Sequence, residues 1–328
     1  MPARDKTGMV HLSWAQVWLC DQWKGISMKK LALALAVVVG LMGGVAQAAP
    51  SEEGAAVLNP IKRGIENKVF ENGPTVTVAT YNMGAARVSD IDTIATAIGA
   101  LDADIIALDE VDNKTKRSGQ VDQAKYIAEK LGLHYVFGRA IDFEGGQYGL
   151  AILSRHPISA SEVVPLPSGD PKVDEARIVL VAEIPVPGFE TPIVFMNTHL
   201  DFKEDHSIQK TQVQRINDLT VANVSLNNIQ DFTTKIKILA GDFNDTYNSA
   251  NVAELSRYWN LVTSSDPNDM RSWPAANPMA DLDHIFTSRG QVWEIKSLDV
   301  LQGNERNIDW DGASDHTPIV VKLQLKEQ

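Results

Sequence analysis

Asp242 and Asn244 stand two residues apart in Leu239-Ala240-Gly241-Asp242-Phe243-Asn244-Asp245, directly after the run Lys235-Ile236-Lys237-Ile238. That run alternates polar and apolar before turning fully apolar, the pattern of a strand that enters a core and delivers its last residues at its carboxyl end. A carboxylate and a carboxamide two residues apart on an extended chain point the same way. Together they can hold a cation, a water and a phosphoryl oxygen at one spot. The same letters also suit a turn, because Asp and Asn bond their own backbone, so the chemical reading depends on partners elsewhere in the chain.

Those partners share one kind of position. Asn82, Glu110 and His199 each follow an apolar run, Asp283 lies at the edge of another, and Asp315-His316 stands just before the last one. Ends of core strands converge in α/β proteins, so residues distant in sequence can line one crevice. Asn82, Glu110, Asp242, Asn244, Asp283 and Asp315 are hard oxygen donors with no cysteine beside them, a set that selects Mg²⁺, Mn²⁺ or Ca²⁺. The two histidines keep zinc as a lesser option. A hard cation beside histidines suits hydrolysis of a phosphate ester: the cation offsets phosphoryl charge, a base aligns water, and an imidazolium donates to the strained oxyanion. Gly-x-Ser-x-Gly, a P-loop and a dinucleotide fingerprint are all absent, which turns the reading away from covalent acyl chemistry.

The elements that must position these residues follow from periodicity. Strands are expected over 76–81, 104–108, 134–138, 149–154, 178–184, 193–197, 236–240, 283–287, 292–300 and 317–325, and helices over 90–101, 120–131, 207–227 and near 250–258. No repeat and no linker follows Pro74, so residues 75–328 are expected to form one domain behind a loosely ordered lead-in over 49–74.

Further upstream, Met28-Lys29-Lys30 precedes an apolar run over 31–45 and then Ala46-Gln47-Ala48. A basic start, a short apolar stretch and a small-x-small site make residues 28–48 a secretory signal peptide cut after Ala48. The apolar run is too short to be preferred as a membrane span. Translation is expected to begin at Met28, with residues 1–27 a non-native leader. The single cysteine, Cys20, falls in that leader, leaving neither a disulfide scaffold nor a thiolate site. The chain carries a net charge of −12. Such a surface does not draw polyanions from a distance, although a bound cation can reverse the sign inside a cleft.

Taken in order, Thr80-Tyr81-Asn82, Leu108-Asp109-Glu110-Val111, Tyr148-Gly149-Leu150-Ala151-Ile152-Leu153-Ser154-Arg155, Asn197-Thr198-His199-Leu200-Asp201, Gly241-Asp242-Phe243-Asn244, Leu282-Asp283-His284-Ile285-Phe286 and Ser314-Asp315-His316 resemble the endonuclease/exonuclease/phosphatase superfamily. That group holds pancreatic-type deoxyribonucleases, abasic-site endonucleases, inositol polyphosphate 5-phosphatases and bacterial sphingomyelinases. Thr115-Lys116-Arg117-Ser118-Gly119 and Gly145-Gly146-Gln147-Tyr148-Gly149 look most like its small exported bacterial metal-dependent hydrolases. The resemblance implies a four-layer α/β sandwich, two mainly antiparallel β-sheets face to face with helices outside. It also implies that Glu110 is the principal Mg²⁺ ligand, completed by Asn82 and Asp315. Asp242 would orient or deprotonate the attacking water, and Asn244 would hold that water or a phosphoryl oxygen. His199 would stabilise the pentacovalent phosphorus, and His316, oriented by Asp283, would bind phosphate or act as the acid/base partner. Arg117 and Tyr148 are expected substrate contacts. One departure is Asp109, where many relatives carry Gln.

The expected activity is therefore an exported, Mg²⁺-dependent phosphoesterase, periplasmic or secreted, monomeric and without a stable membrane anchor. Its substrate is expected to be small or lipid-linked rather than nucleic acid. A secreted nuclease on DNA or RNA, or a binding protein that kept the fold and lost the chemistry, are the alternatives.

Overall fold

Strands β1 (Thr75–Asn82) and β2 (Ile105–Asn113) are apolar on both faces, which suits only the middle of a sheet covered on both sides. In the computed structural model, which describes residues 71–221, 226–262 and 267–327, they pair in parallel, with Val78 opposite Ile105. The expected leader, the signal peptide and nearly all of the lead-in lie outside the described residues. The other strands are β3 (His134–Phe143), β4 (Gly146–Ser154), β5 (Ala160–Pro165), β6 (Ile178–Ile184), β7 (Ile193–His199), β8 (Lys237–Asp242), β9 (Trp259–Val262), β10 (Asp283–Ser288), β11 (Val292–Val300) and β12 (Ile319–Glu327). One sheet runs β11-β12-β1-β2-β4-β3 and the other β5-β6-β7-β8-β10-β9. Each has one parallel pair near its centre, β1 with β2 and β7 with β8.

The inner faces meet in a shared apolar core, where Val78, Ile105 and Ile152 of the first sheet pack with Leu180, Phe195 and Ile238 of the second. Helices α1 (Ile91–Ala100), α2 (Gln123–Leu131) and the short α5 (Trp310–Ala313) cover the first sheet through Ile94, Ile98, Ile127 and Trp310. Helices α3 (Ser207–Val221) and α4 (Ala250–Leu255) cover the second through Val213, Ile216 and Leu255. This is the expected four-layer α/β sandwich. Among the described residues no helix is long and apolar enough to cross a membrane.

Several boundaries differ from the periodic reading. Of the helix expected over 207–227, Ser207–Val221 is helical and residues 226–227 are not, while the one near 250–258 stops at Leu255, after which Trp259–Val262 forms an edge strand. Strands 134–138 and 149–154 extend into a hairpin in which Phe143 pairs with Gly146. Its two turn residues, Glu144 and Gly145, both have positive φ, 47° and 80°, as a tight hairpin turn requires. Strand β2 runs past its expected end because Asp109 and Glu110 together stand opposite a single residue of β4, a bulge between Leu108 and Val111. Glu110 carries the bulge's left-handed backbone, φ 53°. Bulges re-aim a side chain in this way.

Gly241 sets the spacing of the second parallel pair. Its φ is 138°, and a Cβ there would come within 1.8 Å of the Thr198 carbonyl oxygen on β7. Replacing Gly241 by Ala is expected to cost about 3 kcal/mol or more, because both the backbone conformation and the strand contact must give. A melting temperature lowered by roughly 8 °C checks this, and an unchanged one contradicts it.

Candidate active site

Parallel pairing brings like ends of strands together, and here it does so twice. Asn82 pairs with Asp109 where the β1–β2 ladder ends, and His199 pairs with Asp242 at the end of β7 and β8. Antiparallel β10 adds Asp283 directly opposite Asp242. Hydrogen bonds then tie one sheet to the other at this end. The Asp242 backbone N–H donates to Asp109 Oδ2 at 2.8 Å, and Asn82 Nδ2 donates to Asp242 Oδ2 at 3.0 Å. Asn197 Nδ2 donates to the Leu108 and Ala151 carbonyls at 2.9 and 3.1 Å.

Asp242 is the hub. Its Oδ2 lies 3.5 Å from His199 Nε2 and 3.7 Å from His316 Nε2, while its Oδ1 accepts the Asn244 N–H at 2.8 Å. On its far side His316 has Nδ1 2.8 Å from Asp283 Oδ2, and that oxygen also accepts the Ser272 hydroxyl at 2.6 Å. Asp242, His199, His316, Asp283 and Ser272 are all buried. Burial, followed by the Asp283 charge, pushes the Asp242 carboxyl up to about 6. Burial opposes charge on His316, but Asp283 and Asp242 outweigh it and raise the imidazole to about 10. Burial, then the charges of Arg177 and His316, hold His199 well below its usual range. Asp109 is raised well above the usual carboxylate range by burial and then by Asp242 and Asp283. At neutral pH the site thus offers an ionised Asp242 between a neutral His199 and a cationic His316.

The other expected residues open onto the same space. Glu110, Arg117, Tyr148, Asn244 and Asp315 line one cavity of about 480 Å³ together with His199, Asp242 and His316. Arg117 is fixed by a bidentate ion pair with Asp112 at 2.8 and 2.9 Å, and its guanidinium lies 4.5 Å from the centre of the Phe143 ring and 5.3 Å from that of Tyr148. Asn244, with φ 49°, donates its Nδ2 to the Leu200 carbonyl at 3.0 Å. Asn82 is a bridge: its Nδ2 reaches Glu110 Oε1 at 3.3 Å as well as Asp242, and its Oδ1 accepts the Gly84 N–H at 3.1 Å. Asp283 contacts His316 from within the core, outside the cavity wall.

Sequence reasoning did not single out Arg87, Ser272, Glu175 or Arg177. Arg87, in the turn after β1, pairs with Glu110 Oε2 at 2.5 Å. Arg177 and Glu175 form a 3.1 Å ion pair just ahead of the buried run at 178–184, and a charged pair at the mouth of a core strand was the signal available for them.

The donor set fits a hard divalent cation. Glu110 and the exposed Asp315 present carboxylates to the cavity, and such oxygens suit Mg²⁺ or Ca²⁺. The ligand atoms of Asp242, Asp283 and His316 also lie within 4.8 Å of one another. That cluster already holds a cation in His316, whereas Glu110, which also accepts from Asn82, is paired with the half-exposed Arg87, with which a metal ion would compete.

The His316 pair also makes a stability statement. Its folded-state value is raised above the ordinary 6.5, so the stabilisation is fully present below about pH 6.5 and is lost as pH rises through about 10. In chelator-treated protein, the stability gap between wild type and His316→Gln, on the order of 2 kcal/mol, should hold steady from pH 5 to 6.5 and narrow toward pH 10. Denaturant titrations across that range check it, and a gap that widens contradicts it.

Comparison with known proteins agrees with this fold. YbhP of Escherichia coli K12 is 25% identical over 240 residues, covering 70% of this chain and 86% of its own. The crystal structure of an endonuclease/exonuclease/phosphatase from Beutenbergia cavernae superposes with a TM-score of 0.60 at 23% identity, covering 77% of this chain and 72% of the other. D. rerio TDP2 complexed with a single-strand DNA product gives a TM-score of 0.55 at 15% identity over 76% of this chain and 99% of its own. The model of the Endonuclease/Exonuclease/phosphatase family matches residues 79–316, which span β1 to His316. The chain belongs to the endonuclease/exonuclease/phosphatase family.

Proposed function

We propose that this protein is an exported, Mg²⁺-dependent phosphoesterase that hydrolyses a phosphate mono- or diester by in-line attack of an activated water. The observation that carries the reading is Asp242 Oδ2 set between His199 and His316, in a cavity that Glu110 and Asp315 also line. Asp242 takes the proton of the attacking water. His199 Nε2 donates to a phosphoryl oxygen as charge builds there, and cationic His316 binds the phosphoryl group and supplies a proton toward the leaving oxygen. Asn82 keeps Glu110 and Asp242 in fixed relation. Bound at Glu110 and Asp315, Mg²⁺ would supply Lewis-acid charge neutralisation at the phosphoryl oxygens.

A cavity of about 480 Å³ suits a small-molecule or lipid-linked ester, and the net charge of −12 disfavours long-range capture of nucleic acid. Arg117 and Tyr148 are the proposed substrate contacts. The nuclease reading is supported by the family, one fold neighbour of which, TDP2, is seen with a single-strand DNA product. Export rests on the residue pattern over 28–48, with a periplasmic or secreted monomer as product. N-terminal sequencing of the exported protein should begin after Ala48.

Purified protein should hydrolyse bis(4-nitrophenyl) phosphate or a monoester with Mg²⁺ or Mn²⁺, lose the activity to chelator and regain it on adding metal back. Asp242→Asn and His199→Ala should each lower kcat by about 10² or more. Full activity in either variant refutes the assignment. Metal binding without turnover across nucleic acids, sphingomyelin, inositol phosphates and sugar phosphates favours a binding protein instead.

A further inference from the structure

His199 is held less firmly than its role requires. It is buried, yet among the described residues its only polar contact is Asp242 Oδ2, at 3.5 Å. A neutral imidazole has two tautomers, and the one present is set by what the far ring nitrogen meets. For Nε2 to donate toward a phosphoryl oxygen, that far nitrogen must accept a hydrogen bond.

A second, small cavity of about 10 Å³ lies beside the ring, with Tyr148, Leu150, Glu175, Arg177 and Ile178 completing most of its wall. Arg177 is only 5% exposed, and its Nε is buried with no hydrogen-bond partner among the described residues. Its Nη1 lies 3.1 Å from Glu175 Oε1. Unpaired donors of this kind are rare in protein interiors. A space of this size holds one water when two or more polar groups reach it, and two residues of its wall carry buried atoms in need of a partner, Arg177 Nε and Glu175 Oε1.

We propose that this cavity is a one-water site joining the Glu175 carboxylate to the His199 imidazole, so that Glu175, itself held by Arg177, is a positioning residue for the histidine. The water accepts from Arg177 Nε–H and donates one proton to Glu175 and the other to the far nitrogen of His199. That leaves the ring's own proton on Nε2, facing Asp242 and the reacting phosphate. Glu175 and Arg177 also line the main cavity, and the assignment separates a role in orienting His199 from one in binding substrate. It deepens the phosphoesterase reading and rests on it for its catalytic consequence.

The test is Glu175→Gln, which keeps the side chain's size and removes its charge. With bis(4-nitrophenyl) phosphate and Mg²⁺, kcat should fall about 10-fold, the scale of losing an orienting partner, with KM unchanged within about twofold. Combined with His199→Ala, Glu175→Gln should add almost nothing, because the residue it orients is gone. Nitrogen-15 NMR of His199 in metal-free protein should show the Nε2–H tautomer in wild type and a mixture in Glu175→Gln. Glu175→Asp, which keeps the charge with a shorter reach, should lie between the two and stands in should Glu175→Gln fold poorly. A wild-type kcat in Glu175→Gln, a KM rise with kcat unchanged, additive losses in the double variant, or one tautomer throughout would each overturn the proposal. Absence of turnover in the wild type would sink the phosphoesterase reading alone, since the NMR measurement decides the water-linked pair without activity.

Discussion

Two apolar sheet faces meet in this protein, and at one end of the seam their contact turns polar. The Asp242 N–H reaches Asp109, the Asn82 amide reaches Asp242, and the Asn197 amide reaches carbonyls of β2 and β4. Burying so many polar groups costs free energy unless each is paired. Here the pairing crosses the interface, so the relative position of the sheets and the geometry of the site are a single constraint. A slip of one sheet along the other would leave buried carboxylates without partners.

Crowded acids explain the protonation pattern. Asp109, Asp242 and Asp283 are all buried and mutually repulsive. Three anions in so small a volume do not all stay ionised in a low-dielectric site. Burial and its two acidic neighbours push Asp109 toward its neutral form, and the same acids hold a proton on His316 beside Asp242. Asp109 accepts the Asp242 N–H while its own burial works against its charge.

Much of this was legible in the sequence for a simple reason. His199 and Asp242 close strands that are buried end to end, and Asn82 closes one buried from Val78 onward, so a polar residue after such a run is conspicuous. Glu110 was visible as a residue, but its presentation was not, since a bulge depends on how many residues the partner strand supplies. Ser272 lies in an irregular segment where no periodicity marks a face, and Glu175 and Arg177, just ahead of β6, offered only their opposite charges beside a core strand. The short edge strands Ala160–Pro165 and Trp259–Val262 were missed for a related reason: few residues and partial exposure blur the alternation. Helix α3 was overrun because the periodic reading carried it past Val221, where the described helix ends.

The last strand does not sit at the rim of its sheet. β12 lies between β11 and β1, with Thr75 paired to Gln324, and Asp315-His316 immediately precede it. On a nascent chain β1 therefore waits for β12, a non-local pairing of the kind that slows folding. Until His316 and β12 are made, the growing polypeptide lacks both a finished first sheet and the imidazole that sits between Asp242 and Asp283, so the buried acids of the second sheet are left without their cation.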